Sequence, residues 1–542
     1  CLGHESRTII GMRLWILKLV LLNTFCAIIL FSAALFIYRN VGSKYDIVDK
    51  TYSYELSEEE KYGDILLSEP KLFSKKLVHL DLKGAPPSIS YLTSLIPLMK
   101  KLKIVGILME YEDTFPYKNN LTFLRNKHFF YPEEELRDFL TLLGKEGIEV
   151  IPLVQTFGHL EFLLKHKRAV HLREIKEYPE VICPLHPETR PLLQEMIDQV
   201  VNFHPNIMSF HMGSDEVWHL GDCDQCQDWK RIHNMDNGDL FLHHVSFIAK
   251  YLIDKYSLRP MVWDDHFRKL SRFQMEQIDI LKKVEPVIWD YTGETNRMIH
   301  SKLLERYSKT FPRMWAASAF KGAEDPNTCF HSLHQRVLNH ESWQKVLQKP
   351  EADLQGIILT GWQRYDHFAV LCEILPMGIP SLVFNSLYLD AAKMDHDTIS
   401  RAHDILNCRY NLLSSRELEF NVDSLSSCTF PGFPAFKELA ALRKYQNAYE
   451  DFKKMPEYSG WFQMTHIHMG VSSPYRLKTV RRLSEKNRNS LEDLVKRFNA
   501  SLENILDART ISELVLTYIQ PMLEDYTRII ESVNQSMKIF NA

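Results

Sequence analysis

The sequence predicts an α/β chain built as a (β/α)8 barrel, the TIM-barrel architecture, with a transmembrane helix before it and a helical region after it. Three observations predict this. Eight short runs rich in Val, Ile and Leu recur between residues 76 and 390, each followed by an amphipathic stretch. One uncharged apolar run of 20 residues stands near the N-terminus. Beyond residue 390 the apolar spacing becomes helical only.

The eight strand candidates are LVHLDL (77–82), GILME (106–110), EVIPLV (149–154), IMSFHM (207–212), PMVW (260–263), PVIW (286–289), MWAAS (314–318) and GIILT (356–360). Helix patterns lie between them. YPEEELRDFLTLLG puts Leu136, Phe139, Leu140 and Leu143 on one face, and PETRPLLQEMIDQVVNF does the same with Leu193, Met196, Ile197, Val200 and Val201. Continuously apolar strands separated by helices imply a parallel sheet covered on both faces. Eight such units favour a closed barrel. An open doubly wound sheet would usually carry G-x-G-x-x-G after its first strand, but the turn here reads DLKGAPPS.

The run Leu19–Tyr38 spans ~30 Å as a helix, a hydrocarbon core's thickness. Arg7, Arg13 and Lys18 precede it, and Arg39 and Lys44 follow, diluted by Asp46 and Asp49. That bias places residues 1–18 in the cytosol and the remainder outside it, as a single-pass type II protein of the Golgi, the wider secretory pathway or the cell surface. A cleaved signal peptide starting at Met12 is the other reading, although the run exceeds the usual 7–15 apolar residues. A nucleocytoplasmic location follows if the segment is not part of the natural start. Residues 39–75 read as a polar stalk, 76–390 as the barrel and 391–542 as the helical region. In that last region 434–453 is helical, and Leu491, Leu494, Val495, Phe498, Leu502, Ile505 and Leu506 recur at helical spacing before Pro521. It packs on the barrel or serves a homodimer; Pro521 interrupts any long heptad run, which favours packing on the barrel.

Composition limits the function. Lys plus Arg number 65 against 69 Asp plus Glu, so no excess of positive charge is present to neutralise the phosphates of a nucleic acid. Hydrophobic residues at 45% exclude disorder as the main state. A mean hydropathy of −0.24 excludes a multi-span membrane protein. Sequons at Asn120, Asn499 and Asn534 agree with a lumenal location. The nine cysteines are too sparse for a disulfide framework. Cys223 and Cys226 form one C-x-x-C near His219, but no complete tetrahedral set is visible, so a local disulfide or two plain thiols is expected and no metal.

In a (β/α)8 barrel chemistry sits at the C-terminal strand ends. Those ends hold Glu110-Tyr111-Glu112-Asp113, Gln155-Thr156-Phe157-Gly158-His159, Gly213-Ser214-Asp215-Glu216, Trp263-Asp264-Asp265, Trp289-Asp290-Tyr291 and Gly361-Trp362-Gln363-Arg364-Tyr365-Asp366, while the seventh strand starts at Met314-Trp315. An Asp after a strand often caps a helix and a Trp often fills a wall. Recurring Trp–acid pairs point further, to a carbohydrate pocket, since sugar rings stack on aromatics and hydroxyls bond to carboxylates. Glycoside cleavage needs a proton donor and a group that stabilises an oxocarbenium-like centre. Adjacent Asp215 and Glu216 can supply both for a 2-acetamido sugar: Glu216 as acid then base, and Asp215 holding the acetamido N–H while the substrate's own carbonyl oxygen attacks.

HMGSDEVWHLG (211–221) resembles the H-x-G-x-D-E signature of glycoside hydrolase family 20, the β-N-acetylhexosaminidases. LVHLDLKGAPP (77–87), EYEDTFPY (110–117), IPLVQTFGHLEF (151–162), MVWDD (261–265), EPVIWDYT (285–292), WAASAFKGA (315–323) and GIILTGWQRYDH (356–367) extend the resemblance over about residues 76–385. The resemblance implies Asp215 as the acetamido-orienting residue and Glu216 as the acid/base. It implies His159 beside the pair, setting its protonation. Trp263, Trp289 and Trp362 become the aromatic walls, and Tyr291 the donor to the acetamido carbonyl. Tyr365 and Asp366 either share that role or bind sugar hydroxyls, and Glu110 joins them as a substrate-binding candidate. Larger lysosomal members carry an Arg in an L-D-x-x-R pattern after the first strand, where this chain has Asp81-Leu82-Lys83-Gly84. The expected activity is exo-acting, retaining removal of terminal β-linked GalNAc or GlcNAc from a glycoconjugate, without cofactor. A conventional two-carboxylate glycosidase pairing Glu216 with Asp265 or Asp290, and a non-catalytic membrane-tethered sugar-binding protein, are the alternatives.

Overall fold

The computed structural model describes residues 73–330, 332–349, 351, 353–409 and 428–541. The expected transmembrane run 19–38 and nearly all of the stalk lie outside the described residues. Among the described residues no helix is long and apolar enough to cross a membrane.

Eight parallel strands close into a barrel: β1 (Lys76–Asp81), β2 (Gly106–Glu110), β3 (Glu149–Leu153), β4 (Ser209–His211), β5 (Arg259–Trp263), β6 (Glu285–Trp289), β7 (Met314–Lys321) and β8 (Leu354–Gly361). Each strand pairs with its neighbours in sequence, and β1 closes on β8 with Leu77 opposite Ile358. All eight expected strands are present. Their runs are continuously apolar because they face two cores. Leu77, Leu108, Ile151, Leu153, Met261, Trp263, Val287, Trp315, Ala317 and Ile358 fill the barrel's interior, while a larger layer packs between strands and helices.

The helices follow their apolar faces. Glu133–Lys145 buries Leu136, Phe139, Leu140 and Leu143, with three glutamates in its first turn where the helix dipole favours negative charge. Thr189–Phe203 buries Leu193, Met196, Ile197, Val200 and Val201. A small antiparallel hairpin, Arg173–Ile175 with Tyr178–Ile182, is inserted after β3.

The helix after β8, Leu375–Ala391, is buried from Leu375 through Leu389. A helix apolar on every side needs cover on every side, and it comes from β7, β8 and the helices Leu333–Leu347, His396–Leu406 and Phe433–Lys454. The C-terminal region runs Phe433–Lys454, Pro474–Leu502, Ala508–Tyr518 and Gln520–Asn541. Pro474 and Pro521 start helices and do not interrupt them, because the first turn needs no proline N–H. Ile505 and Leu506, which continue the helical spacing in sequence, lie in the turn after Leu502; the Ser88 backbone N–H donates to the Ile505 carbonyl there at 2.7 Å. The helical region thus packs on the barrel, as expected. The Cys408 and Cys428 sulfurs are joined in a disulfide.

Candidate active site

The cleft at the C-terminal mouth is lined by residues at and beyond the ends of seven of the eight strands, and the loops after β3 and β4 bring His159 to Asp215 and Glu216. Their approach depends on two glycines. A Cβ on Gly158 would stand 2.2 Å from the Asp215 carbonyl oxygen, and one on Gly213, at φ +63°, would stand 1.9 Å from Gln155 Oε1. His159, Ser214 and Glu216 also take left-handed backbone, at φ 50°, 72° and 45°. Non-glycine residues adopt this region at a cost, and such strain gathers where surrounding structure enforces it. At Glu216 the enforcers come from the turn after β5: Asp265 Oδ2 accepts the Glu216 backbone N–H at 3.0 Å, and His266 Nε2 accepts that of Val217 at 2.8 Å.

Asp215 and Glu216 share one partner. His159 Nε2 lies 3.2 Å from Glu216 Oε2 and 3.7 Å from Asp215 Oδ2. Its Nδ1 lies 3.8 Å from Glu161 Oε1, a buried carboxylate oxygen with no hydrogen-bond donor. Gln155 Nε2 donates to Asp215 Oδ1 at 3.1 Å, and the Tyr365 hydroxyl donates to Glu216 Oε2 at 2.8 Å. Burial opposes charge on His159, but Asp215 and the hydrogen bond to Glu216 outweigh it and raise the imidazole to about 10. Burial also pushes Asp215 up to about 7 against the opposing His159 charge. Glu216 is more open. Burial works against its charge, yet the His159 and Tyr365 contacts hold it below the ordinary glutamate value. The arrangement therefore has one carboxyl that keeps a proton near neutrality, one ionised carboxylate, and a cation between them.

Aromatics form the walls. Trp263, Trp289, Tyr291, Trp362 and Tyr365 all line the cleft. Trp289 stacks on Tyr291 at 5.3 Å, and Trp362 Nε1 donates to the Tyr291 hydroxyl at 3.1 Å. Trp263 is fully buried in the floor, and its Nε1 has no hydrogen-bond acceptor.

Two expected residues do not reach the cleft. Glu110 is buried one layer below it, where His79 Nε2 donates to it at 2.9 Å and Gln155 Nε2 at 3.4 Å. Burial notwithstanding, Lys83 and His79 hold its carboxyl well below the usual range, so it anchors Gln155 from beneath. Asp366 accepts the backbone N–H groups of Phe368 and Ala369 and shapes a turn. Trp315 lies at the opposite end of the barrel, donating to Glu285 at 2.7 Å, because it is the second residue of β7.

The two acids offered as partners for Glu216 are occupied. Asp265 holds the Glu216 backbone, and Asp290 accepts from Thr292 and Thr295. Sequence reasoning did not place Gln155, Arg364 or the segment Gly322–Pro326 at the site, and it noted Lys83 only as a departure; all line the cleft. Lys83 Nζ pairs with Asp81 at 3.3 Å and lies 4.8 Å from the Trp362 ring centre. The position of Gln155 and Arg364 just past strand ends was the available signal. Arg364 pairs with Glu513 of the C-terminal region at 2.8 Å.

The catalytic-domain profile of glycosyl hydrolase family 20 matches residues 101–303. Hexosaminidase D of Homo sapiens is 35% identical over 470 residues, covering 85% of this chain and 95% of that protein. The chain belongs to glycoside hydrolase family 20, the β-N-acetylhexosaminidases. Hexosaminidase D of Bos taurus is 45% identical to this enzyme over 310 residues, 57% of this chain and 89% of that one. Among solved structures, the chitobiase of Flavobacterium johnsoniae aligns with a TM-score of 0.48 at 13% identity, over 86% of this chain and 72% of that one.

The glycine contacts give a direct test. Gly158→Ala forces the β3 loop away from Asp215, and a displacement of about 1 Å in such a constellation costs on the order of 100-fold in rate. We expect kcat to fall by about that factor while circular dichroism remains unchanged.

Proposed function

We propose that this family 20 enzyme is an exo-acting, retaining β-N-acetylhexosaminidase that uses the substrate's acetamido group as nucleophile. The observation that carries the reading is the single imidazole placed 3.2 Å from Glu216 and 3.7 Å from Asp215, with Gln155 fixing the other Asp215 oxygen. A terminal GalNAc or GlcNAc enters with its apolar face on the tryptophan walls. Its acetamido N–H donates to Asp215. The Tyr291 hydroxyl accepts from Trp362 and retains its own proton to donate to the acetamido carbonyl, and this holds the carbonyl oxygen below the anomeric carbon.

In the free site the shared proton rests on Asp215. An N–H donor arriving at Asp215 favours its ionised form, and the proton passes by way of His159 to Glu216. Glu216 then protonates the departing glycosidic oxygen as the carbonyl oxygen attacks. The C1–O bond breaks and a cyclic oxazolinium forms, its charge balanced by Asp215. Glu216, now ionised, takes a proton from water, which opens the ring with overall retention. The engagement of Asp265 and Asp290 elsewhere favours this route over a protein nucleophile.

Glu216→Gln is expected to lower kcat on an aryl β-N-acetylhexosaminide by about 10²–10⁴-fold. Asp215→Asn loses turnover together with sensitivity to a thiazoline mimic of the cyclic intermediate. If that mimic never inhibits the parent enzyme, a protein nucleophile takes its place.

The pH profile tests His159. One proton on the Asp215–Glu216 pair is required, and Asp215 loses its proton near 7, so kcat/KM falls as pH rises past about 7. His159→Gln removes a positive charge that lowers both carboxyls. Their pKa values rise, and the falling limb moves to higher pH by about 1 unit or more. A purely structural role would lower the curve without shifting that limb.

For the location we retain a type II, lumenal placement, supported by the apolar run 19–38 and by sequons at Asn120, Asn499 and Asn534 that are all exposed. Digestion of the protein from mammalian cells with an N-glycosidase is expected to increase its gel mobility. An unchanged band favours the nucleocytoplasmic alternative.

A further inference from the structure

Away from the cleft, the fold completes a ligand set that the sequence leaves unfinished. Cys223 and Cys226 stand at the start of the helix Asp224–His233, Cys223 as its N-cap. The hairpin inserted after β3 brings Glu174 and Cys183 against them. Cys183 Sγ lies 3.4 Å from Cys223 Sγ and 3.7 Å from Cys226 Sγ, and Cys226 Sγ lies 3.4 Å from Glu174 Oε2. All four donor atoms fall within 4.8 Å of one another. Glu174, Cys183 and Cys226 are buried and Cys223 is half-buried.

We propose that Glu174, Cys183, Cys223 and Cys226 bind one zinc ion in a tetrahedral, structural site that staples the loop carrying His159 to the loop carrying Asp215 and Glu216.

The spacings suit that ion. With Zn–S near 2.3 Å and Zn–O near 2.0 Å, tetrahedral geometry separates two sulfurs by about 3.8 Å and a sulfur from an oxygen by about 3.5 Å. A disulfide would use two of the three sulfurs and leave the third thiol packed on a buried carboxylate. A divalent cation engages all four groups. The surroundings already orient them. The Cys223 backbone N–H donates to Glu174 Oε1 at 3.1 Å, leaving Oε2 toward the sulfurs, and the Cys226 backbone N–H donates to Cys223 Sγ at 3.4 Å. Backbone donors at a helix start stabilise thiolate, the form that binds metal.

Four protein ligands leave no open position, which marks a structural site and not a hydrolytic one. None of the four lines the cleft. Their leverage is mechanical. The Leu160 N–H donates to the Glu180 carbonyl at 2.9 Å and the Ile182 N–H to the Phe157 carbonyl at 3.3 Å, so the hairpin is bonded to both sides of His159. Across the same gap Tyr178 stacks on His219 at 4.9 Å. The isolated C-x-x-C is unreadable as a zinc motif because its other ligands come from 40 or more positions upstream.

The test is the metal content of the full-length protein, purified without chelators and measured by plasma mass spectrometry. About one zinc per chain is expected, as for a closed four-ligand site, with most of it lost in Cys226→Ser. Glu174→His keeps the metal, because imidazole replaces a carboxylate in such sets, and it guards against a folding failure in the cysteine variant. Refilling the chelator-stripped protein with cobalt(II) should give the intense visible bands of a tetrahedral thiolate centre. Parent protein that holds no zinc and takes up no cobalt, or that yields a Cys183–Cys223 disulfide in a non-reducing peptide map, overturns the proposal. So does zinc that persists undiminished in Cys226→Ser.

Discussion

The site depends on one positive charge, on the half-buried His159, placed among several carboxyl groups. His159 faces Asp215 and Glu216 through Nε2 and Glu161 through Nδ1. In a poorly solvated pocket each carboxylate would otherwise favour its neutral form. The imidazolium splits that shared tendency unevenly. Asp215 is deeper and keeps its proton near neutrality, while Glu216 is nearer to solvent and accepts from His159 and Tyr365. Two adjacent acids thereby become chemically unequal before any substrate arrives. The strained left-handed backbone at His159, Ser214 and Glu216 keeps the charges in register.

Much of this was legible in the sequence. The barrel strands were readable because a strand buried on both faces has no polar alternation to obscure it. Asp215 and Glu216 were readable as adjacent acids past a strand end, and the resemblance to the family signature singled them out and implied His159 beside them. What was not legible depends on direction and depth. Glu110 ends its strand, whereas Glu216 lies in the loop beyond β4, and the Glu110 side chain lies a layer lower, on His79 and Gln155. Asp366 has the composition of a sugar ligand and the hydrogen bonds of a turn residue. Trp315 belongs to the barrel's interior at the wrong end. Gln155 was hidden by its ordinariness: an amide has meaning only once its two ends are seen to touch Ser214 and Asp215.

The hairpin after β3 shows how a small insertion changes what a loop can do. A loop of that length has many conformations to lose. Pairing its strands and bonding them to Phe157 and Leu160 removes most of them on both sides of His159. The loop after β4 has a matching support from the turn after β5, through Asp265 and His266. The acidic pair is thus held from both flanks, by different parts of the chain.

The Arg364–Glu513 pair has a consequence for where this enzyme can be cut. Arg364 is a buried guanidinium on the cleft wall, and its carboxylate partner sits well beyond the last barrel helix. A chain trimmed at the visible edge of the barrel would retain every strand and both acids. It would also carry an uncompensated cation beside them, in a pocket whose proton balance is set by charge. The functional border of the barrel is therefore electrostatic, and it falls more than a hundred residues after the topological one.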